Sequence, residues 1–458
     1  MAGIGFELRK LTQRDDLLGV LQGYAHSALA STGPWLFTIL SLGGIVMYGS
    51  RVAPPEQLSA FRLIVIYNFA FSLVLSGPVI MVATRSLADS IYAKNVEDAP
   101  SLMLGSLVLL YATQVFLAGP YYLFFVRLDT GTRLAALANF FLISGIWLVS
   151  TFLTALKDYI SITRSFAVGM LLAMGGATLF ANNSTAGMLV GFSGGLAYIL
   201  FSFIARIFSE YPYRVIRPFR FLSQYAKYWE IGLAGLLYNA AIWVDKWVMW
   251  LSPNHETLVT GMVSYPDYDS AMFMAYLSIV PSMAVFVFNV ETGFFEKYIR
   301  FYRDIQRHAT YARIERNHKE LIHTVVGSTR NLIILQGCIC FVTILLAPRM
   351  FSLLNLNFLQ LGMFRFGVMG AFFHVLFLVM TILLSYFDLR RMAIVIYSIF
   401  LVTNMAFTYG SMRMGFAYYG YGYFLSTLVT FVATFSITAH FLAQLPYQTF
   451  VRNNTSIG

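Results

Sequence analysis

The sequence predicts an all-α integral membrane protein with about twelve transmembrane helices in two six-helix lobes. Charged side chains make up only 11% of the 458 residues, whereas 58% are hydrophobic. A soluble domain carries roughly 25% charged and 45–50% apolar residues, so much of this surface must face lipid. Apolar runs of about 20 residues, long enough to cross a bilayer, recur along the whole chain. These proportions exclude a soluble enzyme and leave no room for a separate catalytic domain.

Twelve apolar runs define the candidate spans. The first six lie at 24–48, 61–82, 102–125, 134–156, 166–180 and 185–205, and the second six at 228–250, 271–295, 325–347, 364–386, 392–409 and 418–441. The predicted domains are an interfacial segment at 1–23, an N-terminal lobe at 24–205, a basic loop at 206–227, a C-terminal lobe at 228–441 and a tail at 442–458. This layout is typical of a two-lobed transporter with a cleft between related halves.

Lys and Arg are distributed unequally between the two sides of the predicted membrane. With the N-terminus inside, 23 of the 31 basic residues fall on the cytoplasmic side, five fall outside and three lie within spans. Cytoplasmic loops of membrane proteins carry such an excess. The asymmetry predicts that both termini are cytoplasmic, and it accounts for the net charge of +10 without nucleic acid as a partner.

Three glycines of the sixth span indicate close helix packing. Gly187, Gly191 and Gly195 recur every four residues and therefore share one face of a helix. Because glycine lacks a side chain, another helix can approach that face closely. The spacing predicts a tight helix contact there.

The seventh span contains the strongest candidate site. Asp245 and Lys246 lie about one turn inside its outer end, where ionisable groups are costly and therefore candidates for function. Helical spacing places Asn239, Trp243, Lys246 and Trp250 on one face. Indole rings beside polar groups suit a sugar ring, although the aromatic belts of membrane proteins also use Trp. Both interpretations, cavity lining and belt, remain open.

Other titratable residues give weaker signals. His374 lies about midway along the tenth span and is either a core histidine or a proton-linked or substrate-contacting one. Asp267 and Asp269 have the spacing with which glycosyltransferases hold a metal ion, but charge counting places their loop outside the cytoplasm, away from nucleotide sugars. The sequence contains no Gly-rich phosphate loop. It therefore indicates a protein that is not an enzyme and needs no cofactor and no metal.

A charged segment at 296–323 continues the eighth span as a predicted cytoplasmic helix. The pairs Glu296/Arg300 and Glu315/Lys319, each four residues apart, favour helix formation. The segment is either a solvated helix lying on the lobe or a docking surface for a cytoplasmic partner. The candidate docking residues are Arg303, Arg307 and Arg313.

Five short segments, distributed over nearly the whole chain, carry a family resemblance. They are GIGFELRKL at 3–11, GPW at 33–35, YNAAIWVDK at 238–246, ETGFFEKYIRFY at 291–302 and YFDLR at 386–390. In this order they resemble the PelG family, integral inner-membrane proteins of bacterial Pel exopolysaccharide systems. The resemblance implies the flippase superfamily of multidrug and polysaccharide transporters. It also implies two kinds of protein partner: a cytosolic glycosyltransferase, and other Pel membrane proteins that include a cyclic di-GMP receptor.

The predicted function is therefore transport of a Pel-type polysaccharide from a cytoplasmic glycosyltransferase across the bacterial inner membrane, through the cleft between the lobes. Two alternatives remain open. An ion-coupled small-molecule antiporter of the same fold needs buried carboxylates facing the cleft, and Asp245 is the one fair candidate. A non-transporting scaffold that tethers the glycosyltransferase needs the cytoplasmic helix and not the cleft.

Overall fold

The computed structural model describes residues 33–34, 36–156, 158–182, 184–258, 260–353 and 356–452. The predicted interfacial segment 1–23, the start of the first span and the last six residues of the tail lie outside the described residues. Apart from one two-stranded hairpin, the regular elements of the described chain are helices. This confirms the predicted all-α class.

One compact unit, here the N-terminal unit, contains the described residues within Thr32–Trp243 and Pro253–Tyr265. Its helices are α1 Leu36–Gly49, α2 Pro55–Tyr92, α3 Ala99–Pro120, α4 Thr130–Leu156, α5 Tyr159–Leu179, α6 Thr185–Glu210 and most of α7 Leu222–Met249. A π-helical turn, Tyr121–Phe125, extends α3. Strands β1 Glu256–Thr257 and β2 Val263–Ser264 pair antiparallel.

The second compact unit, here the C-terminal unit, contains the described residues within Val244–Ser252 and Pro266–Gly458. After the last turn of α7 its helices are α8 Pro266–Leu277, α9 Val280–Asn289, α10 Phe295–Gln306, α11 Tyr311–Leu353, α12 Leu361–Tyr386, α13 Arg390–Met414, α14 Tyr421–Ala443 and the short α15 Leu445–Tyr447. A π-helical turn, Val290–Phe294, joins α9 to α10. Further short turns are Phe358–Gln360, Phe416–Tyr418 and Gln448–Arg452.

The helices confirm a multi-pass membrane protein. Within the described residues, 10 helices are long and apolar enough to cross a membrane, and α1 is a shorter apolar helix. Helix α7 is not among the 10, because Asn239, Asp245 and Lys246 interrupt its apolar sequence. Nevertheless, the described part of each of the twelve predicted spans is helical over most of its length.

Two predicted elements are each divided into two helices. The eighth span breaks between α8 and α9 just before Pro281, which has no N–H to continue the helical ladder. The predicted helix at 296–323 is also wrong as a single element, because α10 ends at Gln306 and α11 begins at Tyr311. His308 lies between them in the left-handed conformation with φ 54°, and the Ala309 N–H returns to the Asp304 carbonyl. A bond that returns over five residues in this way is typical of the Schellman motif, which ends a helix.

The connection between α6 and α7 is shorter than the predicted loop 206–227. Helix α6 continues to Glu210 and α7 begins at Leu222, with a break in helical geometry at Tyr228. The two compact units divide within α7, after Trp243, rather than at this connection. The physical reason is that α7 packs on α2: the Asn239 amide donates to the Leu73 carbonyl at 3.1 Å, and Gly77 faces the backbone of Gly235.

Helices α5 and α6 pack backbone against backbone. A Cβ atom on Gly191 would lie 2.3 Å from the carbonyl of Gly176, and one on Gly195 would lie 2.2 Å from the Gly169 carbonyl. The predicted close approach is thus confirmed at Gly191 and Gly195. Gly187 instead faces Phe180, in the turn that precedes α6.

Candidate functional site

The C-terminal unit contains a cluster of buried polar side chains drawn from four helices. Helix α7 supplies the charged groups in its last turn, and α8, α12 and α14 surround them. We call this set the buried cluster: Asp245, Lys246, Tyr268, Tyr276, His374 and Tyr423. All but Tyr276, which is half-buried, are almost completely removed from solvent. The cluster therefore places two charges inside a membrane protein, where each needs a partner.

Asp245 and Lys246 neutralise each other. The Lys246 Nζ lies 3.1 Å from both carboxylate oxygens of Asp245. Consecutive helical residues point about 100° apart, so the long lysine side chain must bend back toward its neighbour. The Tyr268 hydroxyl donates a further hydrogen bond to Asp245 Oδ2 at 3.2 Å. The carboxylate is thereby satisfied by one cation and one neutral donor.

Two tyrosines of the cluster, Tyr276 and Tyr423, contact His374, and Tyr276 also contacts the ion pair. The Lys246 ammonium lies 4.8 Å from the ring centre of Tyr276, a cation–π distance. The Tyr276 ring in turn meets the His374 ring edge to face, at 5.7 Å between centres. His374 Nδ1 and the Tyr423 hydroxyl are 2.9 Å apart and share a hydrogen bond. The histidine also stacks on Phe377, an environment that favours the core-histidine interpretation.

Trp250 belongs to the protein interior. It is 6% exposed, and its indole N–H donates to both carboxylate oxygens of Asp269, at 3.2 and 3.0 Å. This burial counts against the aromatic-belt interpretation at this position. Asp267 and Asp269 lie in the first turn of α8 rather than in a loop. The Asp267 carboxylate accepts a hydrogen bond from the Gln360 amide at 2.8 Å. Acidic groups there are stabilised by the positive end of the helix dipole.

The four residues predicted to share one face of α7 are not brought together. Asn239 bonds to α2 in the N-terminal unit, whereas Lys246 and Trp250 face the interior of the C-terminal unit. Trp243, which lies between Asn239 and Lys246 in the sequence, is half-buried. The three tyrosines of the buried cluster were not predicted from the sequence. Tyr268 could have been noticed between Asp267 and Asp269, but nothing distinguishes the other two among 28 tyrosines.

The N-terminal unit contains a buried network of a different kind. The Tyr122 hydroxyl donates to the Asn68 amide oxygen, Asn68 Nδ2 donates to Asn139 Oδ1 at 2.9 Å, and Asn139 Nδ2 donates to Ser193 Oγ at 3.1 Å. All four side chains are buried and neutral. Unlike the buried cluster, this chain of hydrogen bonds contains no charged side chain. Within the part of the chain that the structure describes, no group of three or more acidic, His or Cys side chains is placed to hold a metal ion.

The three candidate docking arginines lie on the α10–α11 hairpin and have different surroundings. Arg313 Nε is 2.7 Å from Asp304 Oδ2, and the Asn317 amide donates to the same oxygen at 2.8 Å. The pKa of the Asp304 carboxyl therefore lies below its ordinary value, because Asn317 and then Arg313 stabilise the charged form. Arg313 thus joins the two helices of the hairpin. Arg303 and Arg307 are exposed on α10 and at its end.

The apolar side of the hairpin packs inward. Phe301 and Leu321 are fully buried, and the His318 ring nitrogen lies 2.8 Å from the Leu442 carbonyl at the end of α14. Both predicted helical ion pairs are present: Arg300 to Glu296 at 3.6 Å and Lys319 to Glu315 at 2.9 Å. This geometry fits a helix pair lying on its own unit. The docking role of the exposed arginines stays a prediction.

A family model matches residues 1–450 of the chain. The family is PelG, described as "Putative exopolysaccharide Exporter (EPS-E)". No curated protein sequence matches the chain.

Solved structures with a similar fold are transporters. An outward-facing multidrug resistance MATE family transporter of the MOP superfamily has a TM-score of 0.65 at 14% identity, covering 93% of this chain and 96% of its own. A MOP superfamily transporter from Pyrococcus furiosus has a TM-score of 0.64 at 15% identity, covering 92% and 96%. An inward-facing MATE family transporter has a TM-score of 0.61 at 14% identity, covering 91% and 99%. At these identities the similarity establishes the fold.

Proposed function

This chain belongs to the PelG family of exopolysaccharide exporters, and from that premise we propose that it carries a Pel-type polysaccharide across the bacterial inner membrane. The family match over residues 1–450 is the observation that carries the proposal. Transport also agrees with the MOP-type fold and with the many apolar helices. In this proposal both termini lie in the cytoplasm, on the side where basic residues are concentrated.

The buried cluster has a mechanical role in this proposal. Its charged and aromatic groups are bonded to one another and are enclosed, so a sugar has no access to them without a rearrangement. The cluster instead fixes the last turn of α7 to α8 and, through Tyr276, to α12. Separating a buried ion pair leaves each charge buried without a partner, at a large cost in free energy. Any movement of α7 within the unit must therefore keep Asp245 and Lys246 together. Direct contact with sugar falls to Trp243, whose indole is half-buried.

The enclosed ion pair argues against the antiporter alternative. A cation site requires a carboxylate that is available to the ion, but Asp245 already accepts from the Lys246 ammonium and the Tyr268 hydroxyl. Lys246 therefore occupies the position that a bound cation would need. The path of the polymer between lobes stays a prediction, as does the scaffold alternative that needs no such path.

The partners of the proposed exporter act at its cytoplasmic side. A glycosyltransferase that hands its polymer directly to the exporter avoids recapturing a loose chain, so docking close to the membrane is favourable. The exposed Arg303 and Arg307 supply positive charge for such a contact, and charged interfaces control encounter and partner choice. A cyclic di-GMP receptor of the same system is a further proposed partner, implied by family membership.

Polymer secretion by cells tests the proposal. Trp243→Ala and Asp245→Asn should each reduce secreted polymer while the partner proteins still assemble with the exporter. Phe116→Ala is the matched control, because this ring is 79% exposed on the outside of α3 and its removal should not alter secretion. Normal secretion from a strain that lacks the protein altogether would refute export. Normal secretion by both site variants at normal protein level would refute the assigned roles of α7, and loss of assembly in both would favour the scaffold.

A further inference from the structure

The connection between α6 and α7, residues 211–221, lies against the N-terminal unit as a fixed strap. The Ile216 N–H donates to Ser101 Oγ at 2.9 Å, and Arg220 pairs with Asp98 at 3.2 Å. The Pro218 carbonyl lies so close to Gly105 that a Cβ atom there would be 1.8 Å away. These contacts attach the backbone of the strap to the start of α3. The strap therefore presents its outward side chains in a defined arrangement.

Several outward side chains of the strap are apolar. Ile216 is 61% exposed and Phe219 is 49% exposed. Further exposed apolar side chains on the strap and the following turns of α7 are Tyr213, Val215, Leu222 and Trp229. Single exposed apolar side chains are ordinary, whereas several within a short segment are a candidate interaction surface.

The same surface is strongly basic. Residues 211–229 include Arg214, Arg217, Arg220 and Lys227 and no acidic residue. Arg220 pairs with Asp98, and Lys227 lies 4.0 Å from Asp89. Arg214 and Arg217 are exposed and have no acidic partner among the residues that the structure describes. Within the described residues, two unpaired positive charges therefore lie near the exposed apolar groups in the sequence.

The position of the strap determines which partner fits. At one end the strap continues directly from α6, which is long and apolar enough to cross a membrane, and at the other end it leads into α7. With the proposed cytoplasmic location of this connection, the strap lies at the membrane surface. A segment at the membrane surface meets both phosphate groups and the upper parts of acyl chains. Apolar side chains beside Arg are the combination that binds an anionic bilayer interface. An anionic bilayer interface therefore matches both the exposed positive charges and the exposed apolar side chains of the strap.

We propose that the strap binds the headgroups of anionic phospholipids, with Arg214 and Arg217 on the phosphates and Ile216 and Phe219 inserted among the acyl chains. The site is independent of the polymer and of the buried cluster. Its consequence is that anionic lipid stabilises the connection between α6 and α7.

Lipid binding to the purified full-length protein in detergent tests the proposal. The thermal midpoint is measured while dioctanoyl phosphatidylglycerol is titrated, because a ligand that binds the folded state raises the midpoint. Dioctanoyl phosphatidylcholine and glycerol phosphate are the comparison probes, which should produce little shift. In R214Q/R217Q the concentration of phosphatidylglycerol that produces a given rise in the thermal midpoint should be roughly 25-fold higher, since each basic residue near an anionic surface contributes about 1 kcal/mol, or roughly fivefold.

Two further variants complete the test. R316Q/K319Q removes the same charge from exposed residues of α11 that pair with Glu320 and Glu315, and it should leave the titration unchanged. R214K/R217K keeps the charge and should retain most of the response. The proposal is overturned if R214Q/R217Q responds like the unmodified protein, if phosphatidylcholine is equally effective, or if the variant loses a protein partner but keeps its response to phosphatidylglycerol.

Discussion

Asp245 and Lys246 are neighbours in the sequence and also partners in an ion pair, with the ammonium 3.1 Å from each carboxylate oxygen. Both residues lie inside the C-terminal unit, with Asp245 0% and Lys246 5% exposed. Removing one partner leaves the other charge buried and unpaired, whereas removing both leaves no net charge. This pair therefore determines what substitutions in α7 do.

The first prediction concerns that pair. Asp245→Asn and Lys246→Met should each destabilise the protein by about 3 kcal/mol or more, because a single buried charge remains. The double variant D245N/K246M should be more stable than the sum of the two losses predicts. Thermal unfolding of the purified proteins in one detergent measures the three effects. Strictly additive losses would show that the two side chains do not depend on each other.

The second prediction concerns the contact between α5 and α6. Gly191→Ala should lower the thermal midpoint, because its Cβ atom would lie 2.3 Å from the Gly176 backbone and the helices would have to separate. Such overpacking costs about 1–3 kcal/mol. Gly194→Ala is the matched control, since no atom lies within 4 Å of its added Cβ. Equal midpoints for the two variants would contradict the backbone contact.

The third prediction concerns membrane topology. In a background that lacks Cys338 and Cys340, Asn182→Cys and Asn254→Cys should react with an impermeant thiol reagent in intact cells, whereas Tyr311→Cys should not. All three positions are exposed, so labelling reports the side of the membrane rather than burial. The expectation follows from the concentration of basic residues on the cytoplasmic side. The opposite labelling pattern would reverse the assigned orientation.

The fourth prediction separates docking from hairpin structure. R303E/R307E should release the proposed glycosyltransferase partner from membranes with little change in the thermal midpoint, because both side chains are exposed. Arg313→Glu should instead loosen the hairpin, since its side chain bonds Asp304 at 2.7 Å. Membrane fractionation and thermal unfolding are measured for each variant. The docking assignment fails if R303E/R307E inserts correctly and still retains the enzyme at low and at high salt.

The fifth prediction is a pH dependence at Asp304. The folded state holds the pKa of this carboxyl below its ordinary value, so its contribution is present above about pH 4, the usual unfolded value. The contribution is lost as the pH falls through the lower, folded pKa. Amide hydrogen exchange of α10 should therefore be slower in the unmodified protein than in D304N at neutral pH, and the difference should disappear in strong acid. A difference that persists below the folded pKa would refute the role of the charge.

The division of the chain into helices follows from composition and periodicity. Long apolar runs must become helices in lipid, because only a helix satisfies the backbone hydrogen bonds of a single segment there. The spacing of Gly191 and Gly195 likewise predicts a close contact, since small residues on one face permit it. These features depend on the local sequence, and the structure confirms them.

The ends of helices and the partners of side chains were harder to predict. The break at His308 depends on a non-glycine residue in the left-handed conformation, which no sequence pattern required. The four residues predicted to share one face of α7 do not form one site, because the two ends of this helix belong to different compact units. Helical periodicity states which direction a side chain points, but not which helix receives it.

The sequence by itself determined that this protein is helical, spans a membrane many times and belongs with exopolysaccharide exporters, because each conclusion depends on composition, on the order of apolar segments or on short motifs. Tertiary structure alone decided that Lys246 neutralises Asp245, that Tyr268 donates to Asp245, that Tyr276 and Tyr423 contact His374, and that Arg313 is held by Asp304. The Tyr276–His374 contact alone joins residues 98 positions apart. These relationships form because a buried charge or hydroxyl must find a partner, and packing determines which one is within reach.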